Sequence, residues 1–355
     1  MQSYIIVYFV SIQPFFIFPY IIMGINVTID NSFNQWRFIM PIIFTKWNNW
    51  LSKNMFIVVL SGLFIGFFVN ITDSPSLRNL VVALFAYMTF VTALGTSLKE
   101  FTKVLRKPWI PLWVLILVHF ITPITAYTVG MIFYPNDPEI RLGYLIGASI
   151  PIGVTSIIWT SLVKGDLAIS FVAVTLDTFI VPLVLPLFFH LVIGQTIDIN
   201  YQQMVIDLML MVTAPSILGM FLYDQTDGKT LDFAKSLGGA TSKLGLFLVI
   251  MINSAVVMPQ ISWDISILKT LIITLFIVST GFFVGYLGSF ALKNPTSGTI
   301  LTMIYNVGIR NNACGLVIAL TYFPPRVAIP MTLSILYQQP LATLISHLYK
   351  RIKPV

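Results

Sequence analysis

Residues Asn306 to Leu316 read NVGIRNNACGL. They lie inside an apolar run from about Thr299 to Phe323 that is long enough to cross a bilayer. The middle of that run nevertheless holds Asn306, Gly308, Arg310, Asn311 and Asn312. A guanidinium at mid-membrane costs several kcal/mol on any scale, so it requires a partner, water or a bound ligand. Arg310 is roughly ten residues from either end of the run, too deep to snorkel comfortably. Gly308 and Gly315 among asparagines favour a turn, as where a membrane-spanning helix is interrupted and its backbone faces a cavity. The plainer alternative is a kinked helix carrying a snorkelling arginine.

The rest of the composition fits a membrane setting. Apolar residues make up 57% of the chain and charged residues 9%, against roughly 25% charged in soluble domains, and the mean hydropathy is +0.90. The chain therefore reads as an all-α polytopic membrane protein. Its single cysteine, Cys314, rules out a disulfide framework or a Cys-rich metal site. His119, His190 and His347 fall on separate apolar runs without metal-ligand spacing, so each reads as a packed or interfacial histidine. No metal and no cofactor is expected.

The first apolar run, Tyr4 to Val27, has no basic residue before it and no small-residue cleavage site after it. It reads as an extra N-terminal hydrophobic helix rather than a signal peptide. Asn34 to Lys53 interleaves Trp36, Trp47 and Trp50 with Arg37, Lys46 and Lys53, a mixture suited to a headgroup boundary. Residues 1–53 are thus a hydrophobic helix and an interfacial connector, ahead of a ten-helix domain at 54–351. Its helices are placed at roughly 54–71, 78–98, 108–133, 140–164, 167–194, 201–223, 243–261, 267–292, 297–323 and 327–349. Lys and Arg concentrate in alternate loops: Lys46 and Lys53, then Lys99, Lys103, Arg106 and Lys107, then Lys164, Lys229, Lys235, Lys243, Lys293 and the terminal Lys350, Arg351 and Lys353. The positive-inside rule makes that side cytoplasmic, C-terminus included, in a cell (plasma or inner) membrane. Topology thus accounts for the net charge of +7, and no nucleic-acid partner is implied.

The ten runs divide into two repeats of five, 54–194 and 201–351, and the fourth member of each is broken. In the first half the break is Ser149-Ile150-Pro151-Ile152-Gly153-Val154-Thr155-Ser156, where proline removes a backbone donor and leaves half-helix ends free to meet a ligand. In the second half it is the Asn306 stretch. An odd number of helices per half inverts the second repeat relative to the first. Inverted repeats with paired interrupted helices point to a secondary transporter with its site near the membrane midplane.

Here the sequence resembles the bile acid:sodium symporter family. The likeness covers about residues 54–351 and rests on Ala93-Leu94-Gly95-Thr96-Ser97-Leu98-Lys99, Pro151-Ile152-Gly153-Val154-Thr155-Ser156, Lys164-Gly165-Asp166-Leu167-Ala168-Ile169-Ser170 and Asn306-Val307-Gly308-Ile309-Arg310-Asn311. The resemblance implies a core and a panel domain, fourth and ninth helices crossing at their breaks, and alternating access for organic anions. It also implies two sodium ions, yet four ligand positions depart from the family pattern. Asn306 stands for an acid, Arg310 for a glutamine, Ile157 for an asparagine and Val174 for a threonine. The expectation is therefore transport without sodium, Arg310 placing a tethered cation where the family puts the ion.

Ser170, Val174 and Asp177 share one face of the fifth helix, and Asp177 is expected to partner Arg310. Three further roles are open to these two residues. They can form a static salt bridge that only holds the crossover together, Asp177 can carry a coupling proton, or Arg310 can grip a substrate carboxylate in a bidentate fork. The candidate binding residues are Thr155, Ser156, Ser170, Thr175, Asp177, Asn306, Gly308, Arg310, Asn311 and Asn312. Asn253, Tyr337, Gln338 and Gln339 either line a cavity or bond between helices. The expected partners are a small organic anion, the bilayer, and a proton or sodium as coupling ion. An enzyme is disfavoured, since no nucleophile–base pair, paired aspartates or metal motif is present. Two alternatives stand beside the sodium-independent carrier: an ordinary sodium-coupled symporter with rearranged sites, and a non-transporting receptor or structural protein on the same fold.

Overall fold

The computed structural model describes residues 43–69, 71–99, 109–193 and 200–352. The expected leader helix at 4–27 and the connector before residue 43 lie outside them. Among the described residues all regular structure is helical apart from one bridged pair of residues, so the chain is an all-α polytopic membrane protein. The described residues from Phe44 onward belong to one compact unit.

Among the described residues, six helices are each long and apolar enough to cross a bilayer alone. They are α3 (Pro75–Ala93), α4 (Trp109–Phe133), α7 (Leu167–Ile193), α8 (Tyr201–Gln225), α10 (Leu237–Val257) and α11 (Ile265–Ser289). A short helix, α9 (Thr230–Lys235), precedes α10. The connector's last residues form α1 (Ile43–Lys53), which meets α2 (Met55–Phe68) at a 77° bend. Its Trp47 and Trp50 are exposed, as suits a helix lying along the interface. The run at 140–164 is two half-helices, α5 (Pro138–Ser149) and α6 (Thr155–Leu162). The run at 297–323 is likewise α12 (Ser297–Gly308) and α13 (Asn312–Tyr322). The last described helix is α14 (Ile329–Ile352).

Local chemistry sets these boundaries. α3 and α5 each begin with proline, where the missing N–H costs nothing. Each is also capped, Ser74 Oγ accepting from Leu77 N at 3.3 Å and Asp137 Oδ1 from Ile140 N at 3.2 Å. α5 stops because Ile150 precedes Pro151 and is held extended (φ −61°, ψ 159°). α4 contains one π-helical turn, Leu117–Ile121, the kind of irregularity that gathers at functional sites.

α2 packs on α10, α3 on α8, α4 on α5 and α11 on α12. Phe64, Phe68, Ile132 and Leu191 are exposed on the outer surface, as a lipid-facing protein requires. The interior holds polar groups as well. Ser156, Ser170, Asp177, Asn306, Arg310 and Gln338 are all buried, and they gather around the two breaks.

Candidate functional site

The breaks cross and bond to each other. Gly153 N donates to Ile309 O at 2.9 Å and Asn311 N to Pro151 O at 2.8 Å, pairing Ile152 antiparallel with Arg310. Backbone groups that an interrupted helix leaves unpaired are thus satisfied inside the protein. Glycine is needed at the contact, since a Cβ on Gly153 would lie 2.9 Å from Arg310 O. Gln338 of α14 completes the strand-like pairing from the other side: its Oε1 accepts from Arg310 N at 2.9 Å and its Nε2 donates to Arg310 O at 3.0 Å.

On one side of the crossing lies a closed polar cluster. The Asn306 amide sits between Ser156, whose Oγ donates to Oδ1 at 3.2 Å, and Ser170, whose Oγ is 3.1 Å from Oδ1 and 2.9 Å from Nδ2. Nδ2 also donates to Thr302 O at 2.8 Å. The amide spends its capacity on protein partners and brings no negative charge.

On the other side is a small, partly open cleft between α5, α11, α14 and the crossing. Arg310 reaches into it while remaining only 8% exposed. Its Nη2 donates to Thr122 Oγ1 and, at 3.3 Å, to Val118 O. Its Nη1 is buried without a hydrogen-bond partner. The guanidinium stays charged and carries donors in a fixed fork, so an arginine lining a cleft with one donor unused is suited to anchoring a carboxylate. Asn312, Ser334 and Gln338 line the same cleft. Ser334 Oγ donates to Asn312 Oδ1 at 3.1 Å, and Asn312 Nδ2 donates to Gln338 Oε1 at 3.3 Å.

The expected Asp177–Arg310 salt bridge does not form. Asp177 is engaged elsewhere: Oδ1 is 2.5 Å from His119 Nε2, and Oδ2 accepts from Ile152 N at 2.5 Å. Both partners are almost fully buried, at 2% for His119 and 1% for Asp177. The helical spacing put Asp177 on the right face of α7, but His119, in the π-helical turn of α4, reaches it first. Arg310 and Asp177 are instead joined indirectly, through Ile152.

The remaining candidates divide. Ser156, Ser170 and Asn306 come together in the closed cluster, and Gly308, Arg310 and Asn312 line the cleft. Asn311 caps α13, its Oδ1 accepting from Cys314 N at 3.2 Å. Thr155 opens α6 and is half-buried. Thr175 turns its hydroxyl onto Phe171 O of its own helix at 2.7 Å, away from the cluster. Sequence reasoning missed Thr122, Ser334 and the pairing role of His119. The only signal for any of them is the cost of burying an imidazole in an apolar run, which is too weak to select among three histidines.

Comparison with known proteins agrees with this architecture. Residues 81–263 match the Sodium Bile acid symporter family. The chain is 30% identical over 275 residues to the uncharacterized protein YbaS of Bacillus subtilis, covering 77% of this chain and 90% of that one. It is 27% identical over 247 residues to the uncharacterized sodium-dependent transporter YocS of the same species, covering 68% and 74%. It is 22% identical over 315 residues to the probable chloroplastic sodium/metabolite cotransporter BASS2 of rice, covering 87% and 71%. With its all-helical membrane architecture and two crossing helix breaks, the chain belongs to the sodium bile acid symporter family of membrane transporters.

Proposed function

We propose that this protein is a secondary active carrier that moves a small organic anion across the cell membrane by alternating access, without sodium. The observation that carries the proposal is Arg310 itself, a buried cation that lines the cleft and whose Nη1 has no hydrogen-bond partner in the protein. A fixed cation at the crossing makes a bound cation redundant and an anion welcome. The Asn306 cluster supports the same reading. Hard cations are held by several oxygen ligands, commonly including carboxylates, whereas this cluster offers an amide and hydroxyls already bonded to one another. The pairing of α2 with α10 and α3 with α8, and of α4 with α5 and α11 with α12, fits an inverted repeat of 54–194 and 201–351. The C-terminus lies on the cytoplasmic side in this arrangement.

The names of two relatives, a sodium-dependent transporter and a sodium/metabolite cotransporter, favour sodium-coupled symport as the second reading. Thermal unfolding of the purified protein against a panel of organic anions, in sodium and then in potassium, separates the two. A ligand of the folded state raises the melting temperature with its affinity. The expected result is stabilisation by an anion that is the same in both salts and is lost in Arg310→Gln. Stabilisation by sodium alone, or by no anion at all, overturns the proposal.

A further inference from the structure

We propose that the buried His119–Asp177 pair is a proton site, and that one proton bound there and one carboxylate held at Arg310 cross the membrane together. This rests on the reading of Arg310 as the anion's partner. The pair is joined to Arg310 by two short routes. Asp177 Oδ2 accepts from Ile152 N, and Ile152 is the residue bridged to Arg310. Val118, the neighbour of His119 in the π-helical turn, offers its carbonyl to Arg310 Nη2.

The coupling follows from counting charge. Arg310 contributes +1 in every state. The pair contributes −1 with a neutral imidazole and 0 once the imidazole takes up the coupling proton. Without proton or substrate the site sums to zero, and with a proton and a monocarboxylate it sums to zero again. The proton alone leaves +1, and the anion alone leaves −1. A net charge at mid-membrane costs several kcal/mol, so the carrier reorients when it holds both ligands or neither. The outcome is electroneutral proton–carboxylate symport.

Among the described residues, the other titratable side chains on helices packed against the pair leave this count unchanged; on α8, Asp207 accepts from Gln203 Nε2 at 2.7 Å and from Tyr322 Oη. Cys314 of α13 is within electrostatic reach of Asp177 but contributes a buried thiol. Glu139 and Arg141 of α5 and Lys269 of α11 belong to helices packed on α4, yet they are engaged at its C-terminal end. Arg141 Nη1 donates to Pro135 O at 3.0 Å, Lys269 Nζ donates to Phe133 O, and Glu139 faces Arg326 at 3.8 Å. On α7 itself, Asp166 accepts from Ile169 N near the start of the helix, and His190 packs on Tyr201 near its end.

Benzoate and its uncharged counterpart benzamide serve as the probe pair in a potassium buffer, and affinity is read from thermal stabilisation of the purified full-length protein. Wild type is expected to lose benzoate affinity as pH rises, by at most about tenfold per unit for one linked proton, while benzamide shows no such trend. His119→Gln keeps a donor toward Asp177 but cannot take up the proton, so its binding should be weak and flat with pH. Asp177→Asn removes the opposing charge and leaves Arg310 uncompensated, so its binding should be tight and flat. A pair that only holds helices together weakens both variants alike.

Benzoate binding that is flat with pH in wild type overturns the coupling while leaving the anion site standing. A pH slope that survives in both variants does the same. Failure of benzoate and of every other anion in the panel to bind wild type at any pH overturns the anion site and the coupling together.

Discussion

Replacing Gly153 with alanine probes the crossing directly. The added methyl would sit 2.9 Å from Arg310 O, 3.1 Å from Arg310 C and 3.1 Å from Ile309 Cγ2. The nearest obstacle is backbone, so no flexible side chain can swing aside. The two segments must part, stretching the bonds from Gly153 N to Ile309 O and from Asn311 N to Pro151 O, now 2.9 and 2.8 Å. Overpacking costs about 1–3 kcal/mol, and each weakened backbone bond adds about 0.5–1.5 kcal/mol. The expected loss is therefore about 2–6 kcal/mol. Gly281→Ala is the control, because a Cβ there would meet Gly308 Cα at 3.5 Å and Val307 O at 3.6 Å, ordinary contact distances. It also lies within α11, where alanine is favoured over glycine. Thermal unfolding of both variants in detergent, with circular dichroism to confirm helicity, reads the difference. A Gly153→Ala protein as stable as wild type, or a Gly281→Ala protein equally damaged, would refute the close backbone contact.

Gln338→Ala removes both bonds to the Arg310 backbone and should lower stability by about 1–3 kcal/mol, with the melting temperature as readout. It should also weaken anion binding more than the same change at Gln339, which bonds to Trp159 Nε1 instead. Arg310→Lys keeps the charge and loses the fork, so anion affinity measured by thermal stabilisation should fall by about tenfold or more, with sodium still without effect. At the membrane edge, Arg78 holds the Asp73 carboxyl below the usual carboxylate range. A lowered folded-state value means that the pair's contribution is present above the ordinary carboxylate value and is lost as pH falls through the depressed one. Asp73→Asn should therefore cost at most about 1 kcal/mol near neutral pH and nothing at strongly acid pH, as paired melting curves at the two pH values would show.

Much of the fold was legible because its causes are local. Pro151 breaks the run at 140–164, and the tryptophans at 47 and 50 mark an interfacial connector, whereas the caps Ser74 and Asp137 emerged only from the structure. Arg310 declared itself by its depth in an apolar run, and of the ten candidate residues the structure brings Ser156, Ser170 and Asn306 into contact. The His119–Asp177 pairing was not legible. It joins helices 58 residues apart through a π-helical turn, which has no residue signature, and an acid and an arginine at similar depth suggest a simpler pair. Thr175 failed for the opposite reason. Its hydroxyl has a carbonyl available on its own helix, and nothing in the sequence says that it will take it.

The bonds between the two breaks also constrain how the protein is made. Pro151 and Gly153 leave the ribosome well before their partners Asn311 and Ile309. At roughly 5–20 residues per second, the intervening chain takes on the order of ten seconds or more. Throughout that interval the first break carries a backbone donor and acceptor that lipid cannot satisfy, each at a cost of several kcal/mol. The chain made up to that point must therefore keep its broken helix in contact with water or with the insertion machinery until the second break arrives. Closing the crossing is a late event in biogenesis, and truncation anywhere before residue 309 leaves a segment suited to quality control rather than to the bilayer.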